Sequence, residues 1–459
     1  MGLLTAKTGA EDLRAWLASR AKLADQVMQP EEALLGGRFV RYAARRLFAF
    51  SLARAWTIVL HVVELTWLAE VFTAKTFVAS IALQNVTLVI DAAYWGALEA
   101  MRRRVRALGP SSEAAALVTR WLTVSIGAGA AIALVPLARA VYGAIADDRV
   151  PSMLHVYALV CALRLGADVV IRTYYSGVYA HRRVHRPVWS VFAPPLVLVA
   201  VTFATWNAAG GWSFPIALVA SAIVSRGLLF GFTRRAYRVQ RVPSPRVRLL
   251  PRLAIPDLST VKDAVLGAVA NLTTRLGAVV LLAAVIPSLS GVDDDPLAPF
   301  AFALHLAAPA LSLSAQWGLL FYHDHKRLED EPSHALAHAL HVRLLACGAV
   351  LGVFAWAATC GITAWFVPLA EVWPTLAALL PATVGLSIWT GLQIRGFARG
   401  DFATQAISAA TMLLALWGAL SAEWTGPVAW YLALGASPWV AIALHVMLAR
   451  FFARRGEVA

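Results

Sequence analysis

Between residues 47 and 451 the chain alternates long apolar runs with short polar links. A bilayer core needs about 20 apolar residues at roughly 1.5 Å per residue to be crossed, and lipid satisfies no backbone polar group, so such runs cross as helices. The first run, residues 47–72, reads LFAFSLARAWTIVLHVVELTWLAEVF. Arg54, His61 and Glu64 interrupt it at steps that place all three on one helical face, at roughly 100° per residue. A charge at the bilayer centre costs about 2.5–3.5 kcal/mol on the insertion scale, so such residues usually line a cavity or pathway.

The balance of residues agrees. Of 459 residues, 59% are hydrophobic and 14% charged, where a soluble domain carries about 25% charged. The net charge of +14 invites a nucleic-acid reading, but its placement excludes one. The basic residues fall in short links between apolar runs, as membrane topology requires, and lack the aromatic interleaving of an RNA-binding surface. Arg102–Arg106 and Arg234–Arg252 are expected to meet anionic phospholipids instead. Cys161, Cys347 and Cys360 all lie in apolar runs, so no disulfide framework is expected. Residues 1–46 are amphipathic and charged, with no apolar core of a signal peptide.

Further runs follow at about 77–100, 117–144, 152–173, 188–207 and 213–233, then 261–287, 297–321, 336–365, 367–394, 402–421 and 427–451. Alternate links are arginine-rich: the N-terminus, 101–106, 181–186, 234–252, 326–327, 395–399 and the tail. The intervening links are acidic or neutral. Twelve spans with both termini cytoplasmic reproduce this alternation. The expected organisation is an amphipathic segment over 1–46 and a six-helix lobe over 47–233. A basic linker over 234–256 and a second six-helix lobe with a basic tail over 257–459 complete it.

The two halves repeat each other weakly and in order. Ala53-Arg54-Ala55 parallels Thr274-Arg275-Leu276, and Trp95-Gly96 parallels Trp317-Gly318. Val135-Pro136-Leu137-Ala138 recurs as Val367-Pro368-Leu369-Ala370, and Tyr175–Ala180 parallels Ile394–Ala398. Six spans separate each pair, so both copies point the same way, about an axis along the membrane normal. The fold class is an all-α polytopic membrane protein of twelve transmembrane helices in two parallel six-helix halves.

With its basic middle linker and glycine-containing turns before spans five and eleven (Tyr174–Arg186 and Gln393–Asp401), this pattern resembles the multidrug/oligosaccharidyl-lipid/polysaccharide (MOP) exporter superfamily. It looks most like the polysaccharide-type branch, the O-antigen and lipid II flippases. The resemblance implies transport of lipid-linked sugars from the cytoplasmic to the outer leaflet of a bacterial inner membrane, by alternating access.

The charged residues inside the spans are the candidates for binding and coupling. Arg54 and Arg275 occupy matched places on the first helices of the two halves, where flippases of the superfamily are similar in carrying cavity arginines. They either grip an anionic headgroup from both sides or snorkel and pair structurally. His61 and Glu64 are either a proton- or sodium-coupling pair or a hydrogen-bonded packing pair. Asp91 needs a cationic partner, for which Arg54 or Arg275 would serve. Arg164, Asp168 and Arg172, four apart, can form a ladder along one helix that more readily ties the bundle than meets substrate, although Arg164 also counts as a substrate candidate. His323, His325, His334, His338 and His341 read as a solvated loop and helix start, and no metal site is expected.

No Walker motif, nucleophile–base set or large extracytoplasmic loop is present, so neither direct ATP use nor an enzyme is expected. No cofactor is expected beyond an ion gradient. The major facilitator alternative lacks its Gly-Asp-Arg-Gly-Arg pattern, since Glu99–Arg104 has neither the glycines nor the aspartate. The expected function is a flippase for lipid-linked oligosaccharide or polysaccharide precursors, acting as a monomer or within an export complex. The alternative is a cation-coupled multidrug or metabolite antiporter of the same fold.

Overall fold

The computed structural model describes residues 39–44, 47–48, 67, 74–147, 153–180, 189–245, 258–276, 278–282, 297–322, 324–325, 334–366, 368–399, 401–421 and 427–456. In the first half these form α1 (Ala74–Leu108), α2 (Ser112–Asp147), α3 (Met153–Tyr179), α4 (Trp189–Ala209) and α5 (Ser213–Val239). In the second half they form α6 (Leu258–Leu272), α7 (Leu297–Gln316), α8 (His334–Phe366), α9 (Leu369–Arg399), α10 (Phe402–Ser421) and α11 (Pro427–Gly456). Short 3₁₀ turns follow α6 over Thr273–Arg275 and α7 over Trp317–Phe321. Among the described residues there is no strand.

Among the described residues, six segments are long and apolar enough to cross a membrane, and the outer faces of the bundle are correspondingly apolar. Phe203 is 74% exposed, Phe354 67% and Leu414 64%, an arrangement that suits lipid and not water. Hydroxyls within the bundle turn back onto their own helices: Thr173 donates to the Val169 carbonyl, Thr202 to Leu198 and Thr363 to Thr359. They are thereby satisfied where there is no water.

The packing repeats between the halves. In the first, α2 packs on α3, α4 on α5, α1 on α3, α3 on α5 and α1 on α2. The same five pairings recur in the second half as α8 on α9, α10 on α11, α7 on α9, α9 on α11 and α7 on α8. Helix α9 is central to its lobe, with 61% of its spanning window buried against 22–33% in the other five segments. Among the described residues eleven helices thus form a two-lobed bundle in parallel repeat, and the first expected span, 47–72, lies largely outside them.

Two expectations change. Helix α1 does not end at residue 100 but runs through the arginine cluster to Leu108. Its Arg102 is buried because Glu99 pairs with it at 3.0 Å and the Trp95 ring lies 3.9 Å beneath it. Arg103 and Arg104 stay exposed. The ladder along α3 is also replaced, since its charges pair with other helices.

Candidate functional site: an ion-pair network at the lobe interface

Helix α3 carries Asp168 and Arg172 one turn apart. Arg172 Nη1 donates to Asp91 Oδ1 on α1, and Arg226 Nη2 on α5 donates to Asp168 Oδ2. Burial favours these cross-helix pairs, because each carboxylate gains a charged donor from a neighbouring helix without bending α3. Arg164, exposed on α3, contributes to the field at Asp168. The Trp95 ring lies between two guanidiniums, with Arg172 5.4 Å and Arg102 3.9 Å from its centroid.

The second lobe contributes Arg275. Helix α6 tightens into a 3₁₀ turn just before it, a local change that often marks a functional position. The turn is held in detail. Thr273 Oγ1 donates to the Ala270 carbonyl at 2.9 Å and accepts from Trp389 Nε1 at 2.8 Å, while Gln393 donates to Ala270 at 2.6 Å. Thr274 Oγ1 donates to the Asn271 carbonyl at 2.7 Å. This brings Arg275 Nη2 to 4.0 Å from Asp91 Oδ2, across the lobe boundary. Its Nη1 reaches Ser312 on α7 at 3.4 Å, and its Nε has no partner among the described residues. Arg275 is therefore loosely held, whereas Arg172 and Arg226 are committed.

A cavity opens beside it. Asn85 and Leu88 of α1, Arg275, Leu281, and His305 and Ser312 of α7 line a small, partly open cavity of about 40 Å³. On the side nearer the arginine-rich links the lobes close. A Cβ on Gly96 would stand 2.0 Å from the Gly267 carbonyl, so α1 and α6 approach as only glycine allows. Asn271 donates to the Ala92 carbonyl at 2.7 Å and Arg106 to the Tyr322 hydroxyl at 3.2 Å. Tyr42 donates to Asp324 at 2.6 Å, over a cluster of Phe39, Trp317 and Phe321.

The structure thus brings Asp91 and Arg275 together, with Arg172 as the partner that spacing did not suggest. It leaves Arg164 exposed at the edge of the network. Arg54, His61 and Glu64 lie outside the described residues. His305, a histidine in an apolar run, was missed, although the rule that singled out His61 applies to it equally. Among the described residues no three His, Cys, Asp or Glu side chains converge as a metal site would require.

Two parallel lobes closed at one end, with a charged cavity between them, define a two-lobed membrane fold. Comparison with solved structures shows that this fold is similar to that of MOP superfamily transporters. A MOP transporter from Pyrococcus furiosus, described by a reversed polarity of its binding pocket that suggests a different function, is 11% identical with a TM-score of 0.62 over 93% of this chain and 97% of its own. The outward-facing form of a multidrug resistance MATE family transporter gives 12%, 0.62, 93% and 97% for the same quantities. An inward-facing form gives 12%, 0.54, 90% and 96%. At such identities the likeness establishes the fold. No protein-family model and no curated protein matches the sequence.

Proposed function

We propose that the chain is a membrane transporter that flips lipid-linked oligosaccharide or polysaccharide precursors from the cytoplasmic to the outer leaflet by alternating access. The observation that carries this is the sign of the interface. Among the described residues, Arg172, Arg226 and Arg275 share two carboxylates, Asp91 and Asp168, and the loosely held member, Arg275, lies on the cavity. A guanidinium with unused donors suits a pyrophosphate or other anionic headgroup. A cation-coupled drug antiporter, the second reading of this fold, calls for uncommitted carboxylates, and Asp91 and Asp168 are both engaged by arginine. Pocket charge is also the feature by which the Pyrococcus furiosus neighbour is set apart.

In a host cell, Arg275→Ala and Arg54→Ala are expected to reduce surface polysaccharide at unchanged protein level. Unchanged polysaccharide would overturn the reading, and resistance to cationic drugs conferred by the wild-type chain would favour the antiporter. We further assign coupling to a proton or sodium gradient to His61 and Glu64, on their sequence positions. Glu64→Gln is expected to abolish gradient-driven transport in proteoliposomes, and full transport by that variant would remove Glu64 from the mechanism.

A further inference from the structure

We propose that Asp91 is a built-in stand-in for the substrate's anionic group, competing with it for Arg275; the proposal rests on the reading that the substrate is anionic. Asp91 belongs to the first lobe and Arg275 to the second, so their contact at 4.0 Å is an electrostatic tie between lobes. The two oxygens of Asp91 are used unequally. Oδ1 takes a committed donor from Arg172 within its own lobe, while Oδ2 faces Arg275 at the limit of an ion pair. Losing Arg275 therefore leaves Asp91 paired, whereas Arg275 without Asp91 keeps only the long contact to Ser312 among the described residues.

That asymmetry makes exchange inexpensive in one direction. An anion arriving beside Arg275 replaces a distant carboxylate with oxygens at hydrogen-bonding range, and the displaced carboxylate keeps its guanidinium on α3. A small cavity adjoins Arg275, with Ser312 and Asn85 among its lining residues, and marks where the anion enters as the lobes loosen. Binding the substrate and loosening the lobes are then one event. In the empty protein Asp91 keeps the second lobe's charge compensated across the interface.

The test is binding of farnesyl pyrophosphate and of inorganic pyrophosphate to the purified full chain in detergent, for wild type, Asp91→Asn, Asp91→Glu and Arg275→Ala. Removing the competing charge is expected to tighten binding about tenfold, within the usual range of coupling between sites. Asp91→Glu, which keeps the charge, is expected to restore wild-type affinity and so separates competition from misfolding. Arg275→Ala is expected to lose binding. A gain with both probes assigns the competition to any pyrophosphate group, and a gain with the farnesyl probe alone assigns it to a lipid-borne one. An unchanged or weaker affinity in Asp91→Asn overturns the stand-in role and leaves the anionic-substrate reading intact. Failure of the wild type to bind either probe overturns that reading and this one together, as does a gain for uncharged farnesol.

Discussion

Asp168 and Arg226 show what holds a charge inside this bundle. Their side chains are 20% and 12% exposed, and each is the other's direct donor or acceptor. Breaking such a pair from one side leaves an uncompensated charge, which costs about 3–5 kcal/mol, while replacing both partners by apolar groups is often neutral. Arg172 and Arg164 also act on Asp168, so Arg226→Met is expected at the lower end, about 3 kcal/mol. The double variant Asp168→Leu with Arg226→Met is expected to recover most of that loss, read as thermal unfolding of the purified protein in detergent. Equal losses in single and double variants would refute the account. The sequence made these charges conspicuous but hid their partners. A spacing of four suggests neighbours on one helix, whereas Asp91 and Arg172 meet from different helices through a contact that only the packed bundle creates.

At the scale of elements, hydropathy located the helices well and their ends less well. The apolar runs at 402–421 and 336–365 correspond to Phe402–Ser421 and His334–Phe366 almost residue for residue. Helix α1 outruns its apolar segment because Arg102 finds Glu99, Trp95 and Ser176 and continues the helix as a buried residue. Hydropathy counts that arginine as solvent-facing and cannot register its partners. The 3₁₀ turn at Thr273–Arg275 was likewise invisible, since Thr-Thr-Arg carries no glycine or proline to announce it. The turn depends on Trp389 and Gln393, more than 100 residues away along the chain. The matched position of Arg275 and its fitness as a partner for Asp91 were legible without it, but the cavity beside Arg275 was not.

For the whole molecule, closure at the arginine-rich end combines the α1–α6 packing at Gly96 and Gly267 with three hydrogen bonds, Asn271 to Ala92, Arg106 to Tyr322, and Tyr42 to Asp324. The hydrogen bonds among these join lobes that also share a buried apolar cluster, so losing the bonds loosens one end without separating the lobes. Each hydrogen bond contributes about 0.5–1.5 kcal/mol, more when a charge takes part. Removing two, about 1–3 kcal/mol together, therefore shifts the balance between closed and open forms by a factor of roughly 5–160. Tyr42→Phe combined with Arg106→Ala is expected to add a longer-distance population between spin labels at Ala107 and His338, measured by double electron–electron resonance. Tyr42→Phe keeps the ring in its buried cluster but takes one donor from the buried Asp324, so the loss of thermal stability is expected to stay within about 1–3 kcal/mol. Unaltered distance distributions in the double variant would mean that the glycine crossing, with the Asn271 bond to Ala92, holds that end shut.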